Sequence, residues 1–244
     1  MLVFIFAGFI KGFSGFATSI VLTGILVFFY EPSFLIPILA LISMMLNILL
    51  FIEHFKYIKK VKNNFALRIE TILALLVGTF IGVKLLVYLN VNIIKIILGF
   101  LILGFIYLIR HKFKRNDFII TKTWLNIIIG SVAGLFSGLI NVNGPPVVLF
   151  GMYYHYNKIK LLKSIVIFFI IADLITIIVF YFTGLYTSES INLFLKAIPF
   201  VLLGFFGGVL VRKQCKDAVF KKYVLALLIL IAAKLIFDGF MYAF

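Results

Sequence analysis

The sequence predicts an all-α, polytopic membrane protein. It should have eight hydrophobic segments in two four-segment repeats, the second inverted relative to the first, with segments one and five broken or re-entrant. Three observations carry this expectation: an apolar composition, short motifs that recur at one fixed offset, and the placement of basic residues between segments. Of 244 residues, 64% are hydrophobic and 13% charged, where a soluble domain is roughly half apolar and a quarter charged. Water is therefore not the main solvent of this chain.

The segments fall at 1–30, 34–53, 67–89, 93–109, 123–154, 162–183, 190–211 and 218–244. A bilayer core of about 30 Å needs about 20 apolar residues per helix. The first segment exceeds that length and carries glycines and hydroxyls at its middle, in Lys11-Gly12-Phe13-Ser14-Gly15-Phe16-Ala17-Thr18-Ser19. Such an interruption in an overlong segment marks a broken helix or a re-entrant hairpin. The segment starts apolar and Lys11 follows the apolar run, the reverse of signal-peptide order, so it is expected to stay in the mature protein. Segments two, three and four suit simple spans. The fifth is again too long, and is interrupted at Ser137-Gly138-Leu139-Ile140-Asn141-Val142-Asn143-Gly144-Pro145-Pro146. Proline suits the first turn of a helix, so a second arm should start at Pro145 with Asn143 as its cap. Segments six to eight again suit simple spans. No polar or low-complexity tract suggests a soluble appendage.

The repeat rests on two matches in one register. Ala7-Gly8-Phe9 with Gly12 matches Ala133-Gly134-Leu135 with Gly138, and Gly78-Thr79-Phe80-Ile81-Gly82-Val83 matches Gly204-Phe205-Phe206-Gly207-Gly208-Val209. Both pairs are 126 residues apart. The expected division is a first membrane repeat over 1–110, a basic cytoplasmic linker over 111–122 and a second repeat over 123–244.

Loop charges then orient the halves. Lys56, Lys59, Lys60, Lys62 and Arg68 lie between segments two and three, and Arg110, Lys112, Lys114, Arg115 and Lys122 between four and five. Lys158, Lys160 and Lys163 follow segment five, and Arg212, Lys213, Lys216, Lys221 and Lys222 separate seven from eight. If every segment simply spans, the last two groups face outward and the positive-inside bias is lost. If segments one and five enter and return on one side, all eighteen charges are cytoplasmic, the turns at Glu31, Asn90 to Asn92 and Glu189 face outward, and both termini are external. The net charge of +15 is thus assigned to orientation and anionic lipid rather than to nucleic acid. Cys215 is the only cysteine, which excludes an internal disulfide and a thiolate metal cluster.

Broken helices in inverted repeats place substrate near the midplane, where freed N–H groups and helix N-termini meet an anion. The candidate substrate-binding residues are Lys11, Gly12, Ser14, Gly15, Thr18, Ser19, Ser137, Gly138, Asn141, Asn143, Gly144 and Pro145. Their hydroxyls and amides donate without fixed charge, which suits an oxyanion that must also leave; alternatively they satisfy one another and the freed backbone. Lys11, the one cation inside a break, either attracts substrate or snorkels to the interface. Asp173, central in segment six, is a proton-coupling site, a partner for Lys11 or a packing hydrogen-bonder. Asn47 is the deepest amide of segment two and either packs or faces the same interior. His54, His111 and His155 lie at segment ends or in basic loops, without metal-site spacing. Tyr153, Tyr154, Tyr156 and Tyr186 read as interfacial anchors.

Around the two breaks the sequence resembles the sulfite exporter TauE/SafE family of membrane transporters. The resemblance lies in Ala7-Gly8-Phe9-Ile10-Lys11-Gly12-Phe13-Ser14-Gly15-Phe16, in Ala133-Gly134-Leu135-Phe136-Ser137-Gly138 and in Asn143-Gly144-Pro145-Pro146, and extends to the Gly78 and Gly204 motifs. It implies a duplicated four-segment unit in a bacterial cell membrane. It also implies transport, in the direction of export, of sulfite, an organosulfonate or a related anion by a secondary carrier without nucleotide hydrolysis. Ala17, Asn141 and Asn143 depart from the family's pattern, where glycine is common, and this bears on the substrate more than on the fold. The expected partners are a small anion, the lipid bilayer and a coupling proton, with no cofactor and no metal. An enzyme is disfavoured because only Lys11 and Asp173 offer chemistry at one depth. An anion channel and a non-transporting assembly subunit stand as the alternatives.

Overall fold

The computed structural model describes residues 1–15, 18–58, 68–110, 122–144, 147, 158–212 and 217–241. Among these residues all regular structure is helical, in nine helices: α1 (Leu2–Ser14), α2 (Thr18–Leu26), α3 (Pro32–Ile58), α4 (Ile69–Tyr88), α5 (Val91–Arg110), α6 (Lys122–Ile140), α7 (Lys158–Phe182), α8 (Ser188–Arg212) and α9 (Asp217–Met241). Among the described residues, five stretches are long and apolar enough to cross a membrane: Pro32–Glu53, Ile69–Tyr88, Thr123–Ile140, Ile165–Phe182 and Ser188–Arg212. The apolar stretches Leu2–Phe13 of α1 and Val91–Gly104 of α5 are shorter.

The first hydrophobic segment is divided as its sequence predicts. Helix α1 stops at Gly15, whose φ of 78° places it in the left-handed region and whose N–H closes on the Lys11 carbonyl. Glycine meets that conformation without a Cβ clash. Helix α6 stops in the same way at Asn141, with φ of 53°, a residue whose short polar side chain tolerates αL. Gly15 and Asn141 are 126 residues apart, so the two breaks share one backbone geometry at one register.

In lipid there is little hydrophobic drive between helices, and close backbone approach through small residues takes its place. Glycines set that approach here. A methyl group on Gly8 would strike the Val201 carbonyl, and one on Gly12 the Phe205 carbonyl; Gly204 and Gly208 meet Ile5 and Phe9 in the same way. Helices α1 and α8 therefore interlock from both sides and run parallel. In α6, Gly134 and Gly138 meet Leu75 and Thr79 of α4, while Gly78 and Gly82 meet Ser131 and Leu135. Every partner in this second interface is the first interface's partner shifted by 126. The lipid-side residues shift likewise: Val77 and Phe80 on α4 are exposed, as are Leu203 and Phe206 on α8.

Helices α5 and α9 pack antiparallel, because Gly99 faces Ala232 and Ile236 while Gly239 faces Asn92 and Ile96. Helix α3 lies at the centre, with Leu35, Ile36, Ile38, Leu39, Ile42, Leu46 and Leu50 all buried, and α7 crosses it. The hydroxyl of Tyr186, just beyond α7, donates to the carbonyl of Pro37 at the start of α3, so these two helices are antiparallel as well. Pro37 and Pro199 lie inside α3 and α8, where neighbouring helices can satisfy the carbonyl a proline frees. The Arg212–Glu53 ion pair ties the last turn of α8 to α3, and Asn126 donates to Glu70 where α6 and α4 begin.

Candidate functional site

The two breaks come together in the interior. From α2, the Thr23 hydroxyl donates to the carbonyl of Ile140 at 3.1 Å, satisfying an acceptor that the end of α6 leaves free. The Asn141 amide donates to Ser19 at 3.3 Å. The N–H groups of Asn141 and Val142 fold back onto the carbonyls of Ser137 and Phe136, and the backbone is helical again at Gly144 and Val147. A left-handed residue at each break turns the chain, and the α2 N-terminus opens toward the space between them.

That space is bounded by Lys11, Thr18 and Ser19 from the first break, by Asn141, Asn143 and Gly144 from the second, and by Ser43 and Phe169 from α3 and α7. It has about 20 Å³ of room for the centre of a water-sized sphere; one water needs about 10–15 Å³ on that measure, so the cavity admits one or two waters. Lys11 is the single charged residue on its described wall and is 3% exposed. Its ammonium rests over the Phe169 ring, 5.3 Å from the centroid, and sits in the last turn of α1, where a cation complements the helix dipole. Among the described residues no hydrogen bond or ion pair engages that ammonium. The Thr18 hydroxyl is also buried and unpartnered.

Behind the wall lies Asp173, fully buried. One carboxylate oxygen accepts from Asn47 at 2.7 Å and the other from Asn143 at 3.4 Å, with Ser43 as a further donor. Its charge and that of Lys11 act on one another. Asn47 and Asp173 are 126 residues apart, so residues matched by the offset touch each other at the centre of the molecule. Two helices that meet this way at matched positions while running antiparallel are related locally by a two-fold axis passing between them. Tyr186, outside the spans, is held above the usual tyrosine range, first by burial and then by the nearby Asp173 charge.

The sequence-predicted residues separate into groups. Lys11, Thr18, Ser19, Asn141, Asn143 and Gly144 line the cavity. Gly12 and Gly138 lie on helix–helix contacts instead, Gly15 forms the turn that ends α1, and Ser137 hydrogen-bonds Thr176 at 2.8 Å. The Ser14 side chain, Pro145, Pro146, the side chain of His54, His111, His155, Tyr153, Tyr154, Tyr156 and Cys215 lie outside the described residues, as does most of the basic linker. Ser43 and Phe169 were not anticipated. They are 126 residues apart and one helical turn before Asn47 and Asp173, so applying the repeat offset to Asp173 and stepping back one turn identifies them.

With this architecture in place, the family model for the sulfite exporter TauE/SafE matches residues 1–235. The chain belongs to the sulfite exporter TauE/SafE family. No curated protein and no solved structure matches it. Membership places it among membrane transporters of sulfur-related anions and gives it a small anion as substrate and lipid as surroundings. The TauE/SafE chain thus carries the one cation of the described wall, Lys11, where both breaks meet.

Proposed function

We propose that this protein is a secondary carrier that exports a small anion, sulfite or an organosulfonate in class, across a bacterial cell membrane, and that the anion binds in the cavity between the two breaks. The observation that carries the reading is the buried Lys11 ammonium, unengaged among the described residues, on the wall of a small cavity built from both breaks. Asp173 balances that charge from behind the wall but makes no ion pair with it among the described residues, which leaves the ammonium's N–H donors facing the cavity for an anion. An oxyanion at Lys11 would take further donors from Thr18, Ser19, Asn141 and Asn143 and would face the N-terminus of α2. Ser43 lines the same cavity from α3. Gly12 and Gly138 then serve by letting the helices that hold the breaks approach closely, and Gly15 by turning the chain.

The packing supports an inverted duplication of 1–110 and 123–244 about the axis between Asn47 and Asp173. Eight simple spans would make α5 and α9 parallel, whereas they are antiparallel. With α1 parallel to α8, and α3 starting on the face where α8 starts, α2 must return to the side from which α1 came. Re-entry at both breaks places the basic loops on the cytoplasmic side and the termini outside, which agrees with positive-inside bias.

The test is an uptake and exchange screen in proteoliposomes with sulfite, thiosulfate, sulfoacetate, methanesulfonate and simple carboxylates. Saturable, protein-dependent movement of a sulfur oxyanion that Lys11→Met weakens is the expected result. Absence of movement for every anion would refute the carrier reading.

A further inference from the structure

The cavity and the carboxylate behind it hold one cation and one anion. Lys11 is on the wall, and Asp173 reaches the same space through Asn143 and Ser43, both of which line it. Facing Asp173 from the elements packed around α7 are Lys11 on α1, Ser43 and Asn47 on α3, Asn143 after α6, and the phenol of Tyr186 within reach of its charge. Apart from Lys11 these groups are uncharged near neutral pH. Empty and with both residues ionised, the site is neutral.

An anion arriving at Lys11 makes the site negative in a region shielded from water. Nothing else on the described wall carries positive charge, and an uncompensated buried charge is strongly disfavoured. A proton on Asp173 restores neutrality. The geometry provides for that proton. The Asn47 side chain donates its amide N–H to Asp173, while its carbonyl oxygen is buried and has no hydrogen-bond partner among the described residues. A half-turn of this amide exchanges donor for acceptor, so that its oxygen would receive a carboxyl O–H. One residue can thus serve both states of Asp173.

We infer that Asp173 is a proton-binding site coupled to the anion, taking up one proton for each monovalent anion that binds beside Lys11. This rests on the anion-carrier reading. Binding forms an O–H bond between a solvent-derived proton and one carboxylate oxygen, and release on the other side breaks it. Nothing is oxidised or reduced. The loaded site is neutral, so transport is an electroneutral symport, and affinity falls about tenfold for each unit by which pH rises above the titration of Asp173.

The experiment uses the full chain with methanesulfonate and sulfoacetate, which are fully ionised at neutral pH, so that any proton counted is bound by the protein and not by the anion. Titration calorimetry in two buffers of different ionisation heat counts protons bound per anion. A pH dye inside proteoliposomes counts protons moved per anion. The expected count for methanesulfonate is one in both assays, with uptake indifferent to an imposed membrane potential. Asp173→Asn should lower the proton-to-anion ratio toward zero in whatever anion movement remains. If that variant is inactive, the calorimetric count on the native chain decides alone. Anion binding with no proton uptake, or movement that follows the potential, overturns the coupling and leaves the carrier reading standing. If only sulfite is bound, the same count applies after subtracting the proton that sulfite itself carries, and no binding of any anion overturns both.

Discussion

Replacing Lys11 by Met keeps most of the apolar stem, one heavy atom shorter, and removes the ammonium with both its charge and its N–H donors. Met can still lie against Phe169, where the ammonium now rests 5.3 Å from the ring centroid, so the wall keeps its shape. What is lost is a charge-assisted hydrogen bond to the anion, worth about 1.5–3 kcal/mol, or about 10- to 150-fold in affinity. Removing the charge also leaves Asp173 without the cation that acts on it, which lowers stability in the empty protein. Lys11→Met with Asp173→Asn separates these effects: the double variant should recover thermal stability in detergent without recovering affinity. The assay is sulfite or methanesulfonate binding by calorimetry, with melting temperature measured on the same samples. Affinity within twofold of the native protein in folded Lys11→Met would refute the placement of the anion.

Other outcomes follow from the packing. Gly78→Val and Gly204→Val place side chains against the Ser131 and Ile5 carbonyls; each should cost about 1–3 kcal/mol or more, with similar losses of monodisperse protein on size exclusion because the interfaces match. Unequal losses would count against the shared interface. Asn47→Leu removes the 2.7 Å hydrogen bond to Asp173 and should destabilise by about 1–3 kcal/mol, read as a lower melting temperature that Asp173→Asn partly restores. A topology reporter at either terminus should read external, and one in the basic linker cytoplasmic; a cytoplasmic C-terminus would remove re-entry. Tyr186→Phe deletes the hydrogen bond to the Pro37 carbonyl but no cavity wall, so stability should fall by about 1 kcal/mol with anion affinity unchanged.

Much of this protein was legible before any coordinates. Apolar runs name helices in lipid because only helices and closed barrels satisfy the backbone there, and glycines in overlong runs mark interruptions. Thus both breaks, a cation at Lys11 inside the first of them and the central Asp173 are readable from composition and position along the chain, whereas the burial of Lys11 follows from packing. The offset of 126 residues is readable too, since duplicated contacts conserve small residues where backbones touch. Two things were not readable from a linear pattern. Glycines at Gly12 and Gly138 look alike whether they border a cavity or a neighbouring helix, because both demand a missing Cβ, and only packing assigns them to the α1–α8 and α4–α6 contacts. Nor does the chain state which matched residues meet. Asn47 lies 126 residues from Asp173 and touches it because antiparallel α3 and α7 cross at their equivalent points. Residue order alone specifies the solvent, the helices and the breaks; that an amide from one half holds the carboxylate of the other follows only from packing, since that contact depends on how the halves cross rather than on what either contains.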